Sequence, residues 1–174
     1  QYLSNVTPGS SVTLPSTDPD DTPDQAETAA TVYLAFWGTE HLSTLLSELK
    51  NANRSATFFF TEEELAQNPT LALEVAAGGH TVGIRLTGYE ADPAATVASA
   101  NAYLDQVLYT KSLLVLAPPG SISADALPGA VIVRQSSRTA AAAASQENTA
   151  LLVCSATSHG VADLYTLIQA GCTI

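Results

Sequence analysis

From residue 31 onward, short apolar runs alternate with stretches whose apolar positions recur every three or four residues. Val32 to Phe36 is a run of strand formers, and Leu42, Leu45, Leu46 and Leu49 follow at helical spacing, which predicts a strand and then a helix. Ala56 to Phe60 reads as a second buried strand. The next helical stretch, about Pro69 to Ala77, opens with Pro in its first turn and stops at Gly78-Gly79. Thr81 to Leu86 makes a third strand, Pro93 to Leu108 a long Ala-rich helix, Leu113 to Leu116 a fourth strand and Ala130 to Val133 a fifth. Ala140 to Ala144 suits a short helix or a loop. Ala150 to Cys154 reads as a sixth strand, Val161 to Ala170 as a helix ended by Gly171, and Cys172 to Ile174 as the start of a seventh strand. Fully apolar strands alternating with helices require a parallel sheet covered by helices, either doubly wound or a barrel.

In such folds ligands sit at the carboxyl ends of the strands. The loops there hold Trp37, Glu40 and His41; Thr61 and Glu62; Arg85, Thr87 and Tyr89; Pro118 to Gly120; Arg134 and Ser136; and Ser155, Ser158 and His159. Ser158 precedes the helical run with Asp163 in its first turn, so capping explains it better than nucleophilic chemistry, and no Gly-x-Ser-x-Gly elbow surrounds it. The triplet Glu62-Glu63-Glu64 likewise fits a helix amino terminus.

Length and composition narrow the classes. The 174 residues, 46% hydrophobic and 13% charged, suit one domain. A net charge of −11, from 17 acids against 6 bases, leaves no basic surface for nucleic acid. No stretch approaches the roughly 20 apolar residues of a membrane-spanning helix. The chain opens without Met or a signal-peptide pattern, so a soluble domain, processed or trimmed, is expected. Residues 1–30 carry five acids, no Lys or Arg and four of the nine prolines, and this stretch reads as an extended linker ahead of a domain at 31–174. Such a tether fits a secreted or lipid-anchored domain at the cell surface, joined to a membrane through the linker. Asn5-Val-Thr and Asn53-Arg-Ser are sequons that matter only in a glycosylating host.

Several of these segments together resemble the first half of a NodB-type polysaccharide deacetylase. They are Val32-Tyr-Leu-Ala-Phe36, the Leu45-Leu46 helix, Ala56-Thr-Phe-Phe-Phe60, the helix ending Ala76-Ala-Gly-Gly79, and His80-Thr-Val-Gly83. Ala117-Pro-Pro-Gly-Ser121 is similar to the family's proline-rich motif. The resemblance is good over residues 32–89, fair at 113–121 and weak at 148–168. It implies a distorted, incomplete (β/α) barrel of six or seven mostly parallel strands, and a metal-dependent enzyme that deacetylates chitin-like or peptidoglycan glycans.

The family's chemical residues are replaced at every matching position. Where its first strand ends in Thr-Phe-Asp-Asp-Gly, supplying the base and a metal ligand, this chain has Ala35-Phe36-Trp37-Gly38. Where His-Ser/Thr-x-x-His supplies two imidazoles, Arg85 and Tyr89 stand; the family's Arg before the proline-rich motif falls near Leu116, and its catalytic His near Cys154. Amide hydrolysis of this kind needs a metal-activated water, a base and oxyanion stabilisation. The expectation is therefore a degenerate, non-catalytic homologue with no metal and no cofactor. Its candidate partner is a glycan or an envelope protein, bound at the barrel mouth by Trp37, Glu40, His41, Arg85, Tyr89, Arg134 and His159. An active hydrolase with a site rebuilt around Glu40, His41 and His159, and an interaction domain without a small-molecule site, are the alternatives. Trp37 is open to two readings, a filler of the vacated metal site or a platform for a sugar ring. His80, at the amino end of its strand, is expected to serve packing. Placed at opposite ends of the sheet, Cys154 and Cys172 are expected to be free thiols.

Overall fold

The computed structural model describes residues 31–134, 139–144, 150–172 and 174; the expected linker and Ser136 lie outside them. Six parallel strands form one sheet: β1 (Val32–Trp37), β2 (Thr57–Phe60), β3 (Thr81–Arg85), β4 (Leu114–Ala117), β5 (Val131–Arg134) and β6 (Ala150–Ser155). Their order is β5-β4-β3-β2-β1-β6. That is the cyclic order of a barrel left unpaired between β5 and β6 among the described residues. Ala35, Phe59, Leu116 and Val153 form a buried cluster on one face of this sheet, joined by Trp37, Leu114 and Val133, with no helix residue among them. A face that buries itself without a helix must curl. The sheet is a half-barrel, the incomplete (β/α) barrel implied by the motifs.

Helices cover the convex side. They are α1 (Leu42–Asn51), α2 (Glu62–Gln67), α3 (Thr70–Ala77), α4 (Pro93–Leu108), α5 (Ala140–Ala144) and α6 (Ser158–Gln169). The alternate residues Leu34, Phe36, Phe58, Phe60 and Ile84 meet Leu45, Leu49, Leu65, Leu104 and Leu164 in the main core. Phe36 stacks on Phe58 at 5.4 Å, and His80 meets the Phe58 ring edge-on at 5.4 Å. His80 Nδ1 accepts from the Ala56 N–H at 3.2 Å. Burial holds its pKa below the ordinary histidine value. The imidazole is thus a neutral packing group, as expected, far from the mouth.

Local signals explain the helix starts. Asp92 caps α4 by accepting from the Ala95 N–H at 3.0 Å, with Pro93 in the first position. The triplet Glu62-Glu63-Glu64 is the first turn of α2, the helix amino terminus expected there, although no range was assigned to that helix; it starts in a capping box where Thr61 Oγ1 accepts from the Glu64 N–H and the Glu64 carboxylate accepts from the Thr61 N–H. Two expectations are corrected. Cys172 begins no strand: its N–H donates to the Leu167 carbonyl, closing the end of α6, and its side chain packs into the main core. Ser158 does not cap α6 but is its first residue. The cap position is Thr157, which makes no capping bond and whose hydroxyl pairs with Ser155 Oγ at 2.9 Å.

On the concave face the Phe59 ring of β2 lies close against Gly83 of β3. A methyl group built on Gly83 would lie 2.4 Å from the Phe59 ring. Gly83→Ala is therefore expected to destabilise the fold by about 1–3 kcal/mol, the usual penalty for overpacking. In the double variant with Phe59→Leu, the added cost of Gly83→Ala should shrink; urea unfolding of the four proteins of that cycle measures it. Equal costs in both backgrounds would refute the contact.

Candidate functional site

The carboxyl ends of the strands bring together some of the predicted residues and disperse others. Trp37 ends β1 and Arg85 ends β3; the guanidinium carbon of Arg85 lies over the indole at 4.0 Å from the ring centroid. Beneath them Ala35, Phe59 and Leu116 are buried. Trp37 stands level with Ser155 on β6 and with Phe59 on β2. Its Nε1 is buried and has no hydrogen-bond partner among the described residues. Arg85 is half-buried, and among the described residues no carboxylate or carbonyl accepts from it.

The other candidates lie apart from that centre. Arg134 ends β5, where Nη1 donates to the Pro118 carbonyl at 3.1 Å and Nη2 to the Ile122 carbonyl, so its fork holds the β4–β5 loop. Tyr89 is 94% exposed. It rides on a loop clamped by Glu90, whose carboxylate accepts from the Thr87 and Gly88 N–H groups and the Thr87 hydroxyl. Partial burial pushes the Glu90 pKa up, but these hydrogen bonds outweigh it and hold it below the ordinary value. The Glu40 carboxylate and His41 Nε2 lie 3.8 Å apart at the surface, and the His41 backbone N–H donates to the Ala156 carbonyl, joining the β1 and β6 loops. His159 is exposed in the first turn of α6. The Ser155–Thr157 hydroxyl pair was not among the predicted site residues, although Ser155 was already placed at the correct strand end.

Cys154 requires a correction. Assigned to the position of the family's catalytic imidazole, it instead faces outward: it belongs to the main core, and Sγ donates to Asp163 Oδ2 of α6 at 3.5 Å. The alternation of a strand decides this, because Val153 lies in the concave cluster and Cys154 must take the opposite side. Burial, then the charge and hydrogen bond of Asp163, push the Cys154 thiol up to about 12. Cys154 and Cys172 are both free and buried. The reason for their separation is α6, which begins near one and ends near the other, rather than a seventh strand.

Comparisons place this architecture. The structure resembles a solved polysaccharide deacetylase from Bacillus cereus with a TM-score of 0.67 at 16% identity, over 81% of this chain and 86% of that one. A peptidoglycan N-acetylglucosamine deacetylase gives 0.63 at 18% identity over 83% of both chains. A CE4 family pseudoenzyme from Bacillus anthracis gives 0.65 at 15% identity over 82% of this chain and 60% of that one. No protein-family model and no curated protein sequence matches the chain. The chain has the fold of the CE4 polysaccharide deacetylases, the NodB-type architecture that its motifs resemble.

A divalent metal is implied by that fold, and the residues present do not fit one. Among the described residues no three His, Cys, Asp or Glu side chains are grouped to hold an ion. The ends of β1 and β3, where the motif resemblance implies metal ligands, carry an indole and a guanidinium, and a fixed cation opposes a dication there.

The thiols yield a test. An unfolded Cys ionises near pH 8.5, whereas folded Cys154 keeps its proton to about 12. Its contribution to stability is thus complete below the unfolded value and is lost as pH rises toward the folded one. We expect iodoacetamide at pH 8 to label neither cysteine in the native protein and both in urea, counted by mass. Between about pH 9 and 11, stability should fall more steeply in the wild type than in Cys154→Ala. Rapid native labelling, or equal slopes, would contradict this account of Cys154.

Proposed function

We propose that the chain is a non-catalytic polysaccharide-deacetylase homologue acting outside the cytoplasm as a glycan-binding module of the cell envelope. The observation that carries this reading is the Arg85–Trp37 stack in the place where the fold's metal ligands would converge. With a guanidinium there, no water can be activated by a dication, and the outward Cys154 cannot act on a substrate in the mouth. Loss of activity is compatible with this fold, since the Bacillus anthracis protein that shares it is a pseudoenzyme. The glycan assignment draws support from the deacetylases of the same fold, one of which is a peptidoglycan N-acetylglucosamine deacetylase.

Of the seven residues considered at the mouth, Trp37 and Arg85 are the ones we assign to binding, with Glu40, His41 and His159 at its rim. Arg134 serves the loop it anchors, and Tyr89 stands away on its own turn. Residues 1–30, acidic and proline-rich, tether the domain to the cell surface. No described helix is long and apolar enough to cross a membrane.

Three measurements test the reading together. After loading with zinc or cobalt and desalting, elemental analysis should find well under one metal per chain. Acetylated chitooligosaccharides and peptidoglycan fragments should release no acetate above a protein-free control. The protein should nevertheless co-sediment with purified peptidoglycan. Stoichiometric metal with metal-dependent acetate release would replace this reading with an active hydrolase, and failure to sediment would favour an interaction domain for proteins.

A further inference from the structure

We propose that the mouth of the half-barrel receives one carboxylate, carried by a saccharide, on the free edge of the Arg85 guanidinium; this rests on the glycan-binding reading and specifies its ligand. The chain holds 17 acidic residues against 6 Lys and Arg, so an Arg on it has many carboxylates to choose from. Arg85 takes none among the described residues. Arg134, by contrast, spends its fork on two backbone carbonyls. What Arg85 does touch is the face of the Trp37 indole, with the guanidinium carbon 4.0 Å from the ring centroid, a cation–π contact that needs none of its five N–H donors for a hydrogen bond. Stacking thereby orients the fork without consuming it. A planar fork of parallel N–H donors matches the two oxygens of a carboxylate.

A second observation points the same way. Trp37 Nε1 is buried and lacks an acceptor among the described residues, and buried donors in folded proteins nearly always have one. An oxyanion seated beside the stack supplies acceptors to the guanidinium edge, next to the indole whose N–H has none among the described residues. Ser155, level with Trp37 on β6, and Thr157 at the cap position of α6 hold the neighbouring hydroxyls for a sugar ring. The floor of Ala35, Phe59, Leu116 and Val153 is apolar, which strengthens a contact between charges above it. One guanidinium balances one charge. In a chain whose overall net charge is −11, a singly charged group is favoured over a polyanion.

The single Trp of the chain makes its indole a specific reporter. Titrations of the 15N-labelled protein would use sodium N-acetylmuramate, N-acetylglucosamine, which has the same ring without the lactyl carboxylate, and acetyl-alanine, which has a carboxylate without a sugar. The expected result is a saturable shift of the indole N–H resonance with N-acetylmuramate and a response at least tenfold weaker with the other two. Arg85→Gln should weaken the muramate response by roughly tenfold or more, the scale of a lost charge-assisted hydrogen bond, and Arg85→Lys by an intermediate factor because it keeps charge but not the fork. Unchanged thermal unfolding of both variants would confirm that they are folded. Equal responses to N-acetylmuramate and N-acetylglucosamine would overturn the carboxylate while leaving glycan binding intact. A response to acetyl-alanine as strong as that to N-acetylmuramate would overturn the saccharide and, with it, the glycan reading of this mouth. Indifference to all three probes would overturn the proposal outright; peptidoglycan co-sedimentation would still decide the broader reading.

Discussion

A parallel sheet that stops before closing must still bury its inner face, and here the Phe59 ring against Gly83 does so. Any side chain at position 83 would collide with that ring. Because the ring can cross the neighbouring strand, Ala35, Leu116 and Val153 are sealed beneath it without a helix. The indole of Trp37 then sits on a filled interior, and Arg85 sits on the indole. Both readings of Trp37 meet here: its indole packs against the buried cluster at the end of the barrel, and Arg85 lies over its ring. Binding chemistry at the mouth therefore passes to the guanidinium.

The surrounding loops are held by side-chain and backbone hydrogen bonds. Arg134 ties the Pro118 to Ile122 segment, Glu90 clamps Thr87 and Gly88, and the backbone of His41 joins that of Ala156. Each of these groups is satisfied locally, and each makes the rim more rigid. Arg85 is the charged group at the mouth that remains without an acceptor among the described residues.

Much of this was legible in the residues, for reasons that also explain what was not. Apolar runs such as Ala56 to Phe60 located every strand of the sheet to within a residue or two, because a strand buried on both faces has no polar interruption. α4 was read to the residue because Asp92-Pro93 marks its start. α2 is too short to show a helical period, and its legible trace was Thr61 followed by Glu64. Cys172 to Ile174 looked like a strand because three residues cannot distinguish a strand from the apolar end of a helix. The inward or outward sense of Cys154 depended on strand register, which a one-residue slip reverses. Least legible was the contact of Arg85 with Trp37: it joins the ends of two strands that are not neighbours in the sheet, across a face that curls inward.

Curvature also decides how the charge of the protein acts at this site. A net charge of −11 repels every anion at long range. At physiological salt, however, charges farther than about 8 Å are largely screened, so the acids scattered over the helices slow the approach of an anion more than they oppose its final contact. At the mouth the guanidinium lies half-buried above an apolar floor, with no carboxylate paired to it among the described residues. A contact pair there is worth several times what it would be in open water. The short-range term wins where the ligand is small and singly charged, and the long-range term wins for a polyanion, whose charges cannot all reach Arg85. Selectivity for one carboxylate thus follows from a single cation set in a concave face of an otherwise acidic protein.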